Sequence, residues 1–135
     1  MINKINFKII IIFAVLIILI ILYILQVLST NQLIHYVEDI FCGKVSASET
    51  QGTPVDKYNF SKDIEFDTVD IDITRVFVAH GFSDGYMIVY YKCQAFDACG
   101  NTVYGAATIF PQSPSIWKIH KENGVWKIVE IHENP

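Results

Sequence analysis

The side chains most able to do chemistry are thinly scattered along this chain. His120 and His132 lie in IHKENGVWKIVEIH, and imidazole is a common zinc ligand. Strand alternation across an Asn123-Gly124 turn sends the two rings to opposite faces, so they share an ion only if a bulge intervenes. No third ligand stands at a suitable spacing, and no metal is expected. The segment DIEFDTVDID carries Asp63, Glu65, Asp67, Asp70 and Asp72. Asp70 and Asp72 are neighbours on one strand face, yet calcium usually also needs a loop that supplies carbonyl oxygens. A solvated acidic face is the expected role, one that could also meet a basic partner.

Three cysteines, Cys42, Cys93 and Cys99, leave at least one thiol unpaired within a monomer. Six residues of strand at about 3.3 Å each put Cys93 and Cys99 well over 10 Å apart, whereas a disulfide needs Cα atoms within about 7 Å. A bridge from Cys42 to either of the others and three free thiols both stay open. The chain contains no nucleophile elbow, phosphate loop or Cys-x-x-Cys pair.

The elements that must carry these residues begin with an apolar run. Residues 9–25, IIIIFAVLIILIILYIL, contain no charge, and Tyr23 holds their only polar side-chain atom. Their Ile, Leu, Val and Phe side chains favour membrane insertion by roughly 5–9 kcal/mol in total. Extended to Leu28, the run makes about 30 Å of helix, enough to cross the hydrocarbon core. It is apolar all round, unlike a core helix, and Val27-Leu28-Ser29 is a poor signal-cleavage site. Lys4 and Lys8 precede the span while Glu38 and Asp39 follow it, which keeps the amino terminus in the cytoplasm. Beyond residue 28 the chain has 8 basic and 14 acidic groups, net −6. Such a domain is repelled by nucleic acid and is not expected to lie flat on anionic lipid.

Ser29-Thr30-Asn31 offers capping residues for a second, short helix in which Leu33, Ile34, Val37, Ile40 and Phe41 form one apolar stripe. Its alternative reading is a direct continuation of the span, and Gly43 is expected to end it. Residues 43–60 have no apolar period and read as a connecting loop. From residue 63 the pattern is that of strands, with a bulge expected near Thr68. MIVYYKCQAF is apolar on both faces, as a central strand should be. Asn123-Gly124 is a two-residue hairpin turn that sets Trp117, Ile119, Trp126 and Ile128 on one face. Lys118, His120 and Lys127 fall on the other, with Ile116, Val129 and Ile131.

WKIHKENGVWKIVEIHENP resembles the terminal hairpin of cystatin-like domains in the nuclear transport factor 2-like superfamily, especially small exported or membrane-anchored members from Gram-positive bacteria. GYMIVYYKCQAFDACGNTVYG is similar to their central hairpin, with Asp97, Gly100 and Asn101 in its turn. The resemblance covers about residues 64–135 and marks a fold. Full-sized members place about three helices ahead of the sheet; this chain offers one. The superfamily's dehydratases and isomerases use a His–Asp or Tyr–Asp set, for which the nearest match here is His80 with Asp84 in AHGFSDG. These two sit on a turn, where solvated residues are the better reading.

The expectation is therefore an α+β chain. It has a cytoplasmic tail over 1–8, a transmembrane anchor over 9–28 and an extracytoplasmic cystatin-like domain over 29–135. That domain holds one short helix and a curved antiparallel sheet of about five strands. It is read as a single-pass protein of the cell membrane, tethered through residues 9–28, with a protein partner in the cell envelope and none among nucleic acids. No cofactor is expected, and no residue is given a catalytic, cofactor-binding or metal-ligating role. The function expected is a non-enzymatic binding or scaffolding module; the alternative is a small-ligand pocket with isomerase- or dehydratase-like activity.

Overall fold

A computed structural model describes residues 4–134; Met1–Asn3 of the expected tail and Pro135 lie outside the described residues. One long helix, α1, runs without interruption over Lys4–Phe41. Residues 4–25 are exposed along their whole length, and α1 is long and apolar enough to cross a membrane. Its second part is different. Thr30, Leu33, Val37, Ile40 and Phe41 are buried, and Ile34 is half-buried against the same core. Each large apolar side chain on that stripe contributes about 1.5–3 kcal/mol by leaving water.

Of the two readings of residues 29–31, a new helix start and a direct continuation of the apolar run, the second holds. These residues lie inside α1, where the Thr30 hydroxyl donates to the carbonyl of Gln26 at 2.9 Å. A threonine that bonds back to the preceding turn needs no capping role. The helix does end at Gly43. The amides of Gly43 and Lys44 donate to the carbonyls of Ile40 and Asp39, and Gly43 takes φ +74°, as this paired C-terminal motif requires.

Residues 43–60 are more than a loop. They contain a short helix α2 (Ala47–Thr50) and a 3-10 turn over Pro54–Tyr58, with a second such turn at Phe60–Lys62. Val55, Tyr58, Asn59 and Phe60 are buried here. Asn59 donates to the Thr50 hydroxyl, which itself donates to Asp56, so the buried polar atoms of the segment are matched.

Five strands form one curved, open antiparallel sheet: β1 (Thr68–His80), β2 (Asp84–Phe96), β3 (Thr102–Thr108), β4 (Ser115–Glu122) and β5 (Val125–His132). β2 is central. β1 lines one edge of it, while β4 and β3 share the other, β4 along Asp84–Val89 and β3 along Tyr91–Phe96. The alternating residues Met87, Val89, Tyr91, Cys93 and Ala95 face α1 and are buried, so only one face of this strand meets the core.

Two register details depart from expectation. The slip in β1 falls between Arg75 and Phe77, not near Thr68, and Ile64 and Phe66 precede the strand. Phe66 instead packs beside Phe60, with ring centres 5.2 Å apart. A second slip lies opposite Lys118/Ile119, where Val129 is the extra residue. Past it, Ile131 pairs with Trp117 and packs against the core, whereas sequence alternation had put it on the outer face. The turn itself is as expected: Asn123 at φ +51° and Gly124 at +77° both take the left-handed geometry that a tight hairpin demands.

Candidate functional site

The suspected pairs do not assemble. His80 and Asp84 flank the same turn but turn to different partners. His80 lies between Ser29, 2.8 Å from its Nε2, and the carbonyl of Gly81, 2.8 Å from its Nδ1, with its ring against Trp126. Asp84 accepts from Nδ1 of His120 at 2.8 Å, and that bond, followed by one from Ser83, holds its carboxyl below the usual range. The bulge at Val129 puts His120 and His132 on the same face after all, since their cross-strand partners Lys127 and Ile116 lie on that face. They remain four strand positions apart, roughly 13 Å. His132 pairs with Glu130 instead, at 2.7 Å. Among the described residues no three His, Cys, Asp or Glu side chains converge as metal ligands.

Asp63, Glu65, Asp67, Asp70 and Asp72 are all exposed. Cys42, Cys93 and Cys99 stand as free thiols in this structure. Cys93 is fully buried on the core face of β2. Burial, with smaller contributions from Cys42 and Asp70, pushes its thiol up to about 12.

A convergent polar cluster exists elsewhere, and the sequence reading did not find it. Glu133 accepts from the Tyr58 hydroxyl and from Ser115 Oγ, both at 2.7 Å, and from Lys57 Nζ at 2.5 Å. Trp117 Nε1 donates to Ser115 Oγ at 3.0 Å and to the Tyr58 hydroxyl at 3.1 Å. Burial alone would raise the Glu133 pKa, but the bonds from Lys57, Ser115 and Tyr58 outweigh it and hold the group ionised below its ordinary value. The Tyr58 and Tyr91 hydroxyls are pushed the opposite way, first by burial and then by the Glu133 charge. Neither the groove described below nor the shallow concavity beside Tyr90 and Phe110 is lined by Tyr58, Ser115 or Glu133. With every donor engaged, the cluster acts as a clamp that ties the 3-10 turn, the start of β4 and the carboxyl-terminal tail together.

One concavity is an open-sided groove of about 560 Å³ between α1, the 49–55 segment and β5. Leu33, Val55, Trp126 and Ile128 form its apolar floor, with Tyr36, Glu49 and Lys127 at its rim. Burial, then the Glu49 charge, raises the Tyr36 hydroxyl pKa. Tyr36 thus stays a neutral donor beside an apolar trough, suited to hold a peptide or ligand rather than to move protons. Two sequence cues were available: the Leu33/Val37 stripe and the Trp126/Ile128 face. Their meeting across the 49–55 segment was not.

The fold and site define an α+β domain built onto the end of an apolar helix. No family model, curated protein or solved structure matches this chain.

Proposed function

We propose that this chain is a single-pass membrane protein, anchored with its amino terminus in the cytoplasm, that displays a small binding or scaffolding domain outside. The domain is non-enzymatic and docks onto another protein of the cell envelope through the groove between α1 and β5. The cystatin-like assignment belongs to the same reading and rests on the motifs of residues 64–135.

One observation carries it: the helix passes unbroken from its apolar stretch into the core, and the residues around the weak cleavage site are gripped by β1. Arg75 donates to the carbonyl of Val27 and to Thr30 Oγ1, each at 2.9 Å, and also bonds Asn31. The His80 amide donates to Gln26 at 3.0 Å. Cutting at Ser29 would separate Gln26 and Val27 from these partners, so an uncleaved anchor fits better than a signal peptide. The apolar floor and polar rim of the groove suit an inserted apolar side chain from a partner.

The groove volume also lies within the small-ligand range of about 300–1,000 Å³, which keeps the pocket alternative in view. One experiment separates the two. A photo-crosslinking residue replaces Tyr36 in the full-length chain in living cells, with Lys92 on the outer face as control. A discrete protein adduct at Tyr36 and none at Lys92 is expected. No adduct, together with a small molecule retained by the purified protein in native mass spectrometry, overturns the docking reading.

A further inference from the structure

We propose that the tip of the β1–β2 hairpin, carrying Val76, Phe77 and Phe82, enters the lipid–water interface beside α1, so that the domain rests on the bilayer surface. This rests on the reading of α1 as a membrane span.

The depth follows from the helix. If Lys8 marks the inner edge of the hydrocarbon, Gln26 lies about 26 Å beyond Ile9 and Tyr23 about 21 Å, within a core of about 30 Å. Both residues touch the hairpin. The Phe77 ring stacks on Tyr23 with centres 5.9 Å apart, and the His80 amide is bonded to Gln26. Phe77 is thereby held at the depth of a residue inside the span, and the turn over 81–83 starts at the outer edge of the hydrocarbon. Val76 and Phe77 are exposed, and Phe82 is exposed completely. Phe77 at this depth meets acyl chains, and an exposed Phe82 at the outer edge suits the headgroup–acyl boundary, where Phe, Trp and Leu side chains are commonly buried.

The neighbouring turn lies at the same end, because the Lys121 amide donates to the Ser83 carbonyl at 2.8 Å, and it adds the exposed Val125. The charges are also sorted. Arg75, Lys118, Lys121 and Lys127 lie toward this end, against Asp84, Glu122 and Glu130, while the acids of residues 63–72 lie at or beyond the opposite end of β1. A domain of net −6 thus turns its least acidic end to the headgroups, and its acidic face points away.

The test uses the full-length chain in vesicles of phosphatidylcholine and phosphatidylglycerol with brominated acyl chains. Phe82→Trp is compared with Leu19→Trp inside the span and Ala98→Trp in the far turn, which β2, about 40 Å long, separates from the tip. All three sites are exposed, and the parent emission from the buried Trp117 and Trp126 is subtracted. The expected result is blue-shifted F82W emission, quenched severalfold more than that of A98W, with L19W quenched as well. Quenching of L19W without F82W overturns the proposal and leaves the anchor standing. Quenching of neither overturns both.

Discussion

Glu133 illustrates how one buried charge is kept in a domain this small. Its carboxylate is short of water but accepts from a lysine, a serine and a tyrosine, so the desolvation cost is offset by charge-assisted bonds. Replacing Glu133 with Gln leaves those donors partly unmatched and should lower stability at neutral pH by about 1–3 kcal/mol, read by thermal unfolding of the full-length protein in detergent. The pH dependence has a definite sign. The folded pKa is lower than the unfolded one, so the unfolded state binds the proton more tightly. The contribution is therefore complete above the ordinary carboxylate pKa and is lost as the pH falls through the folded value. Between pH 7 and pH 3, E133Q should lose less stability than the parent. Equal acid sensitivity would remove Glu133 from this role. Of this cluster only Trp117 was placed correctly by pattern, because it lies in a hairpin with a clear turn; Tyr58 sat in a stretch without apolar period.

Helix α1 does two jobs in succession, and substitutions along it should divide accordingly. Ile40 is fully buried against the sheet, whereas Ile20 is exposed in the apolar stretch. Ile40→Ala should cost about 2–5 kcal/mol, through lost burial and the cavity left behind. Ile20→Ala should leave the domain within about 0.5 kcal/mol of the parent. Denaturation followed by the emission of Trp117 and Trp126 checks both, and similar losses would mean that the two parts of the helix are not distinct. The apolar stripe from Leu33 to Phe41 was legible because helical period is local. The bulges at Arg75/Phe77 and Lys118/Ile119 were not, since each arises from how two strands meet, as with Ile131, which reaches the core only because Val129 is extra.

For the molecule as a whole, β1 contacts residues 23–31 of α1 through the Phe77–Tyr23 stack and the bonds of Arg75 and His80, so the apolar helix runs directly into side-chain contact with the sheet. Intact-mass measurement on protein extracted from membranes should return a chain that retains residues 1–28, and protease added to intact cells should remove the sheet. A mature species beginning at Thr30, just after the Val27-Leu28-Ser29 site, would sink the anchor reading. An open sheet of five strands leaves edges at β1, β3 and β5. β1 is protected toward its carboxyl-terminal end by α1 and toward its start by Asp70 and Asp72, devices that discourage edge-to-edge pairing.

The amino-acid sequence by itself determined the apolar helix, the α+β layout, the central β2 and the Asn123-Gly124 hairpin, because hydrophobic period and turn chemistry are properties of neighbouring residues. Only the tertiary structure decided the partners of His80 and Asp84, the Glu133 clamp and the groove floored by Leu33 and Trp126. These bring together side chains dozens of residues apart, and which of them meet depends on strand register and on where a bulge turns a face over.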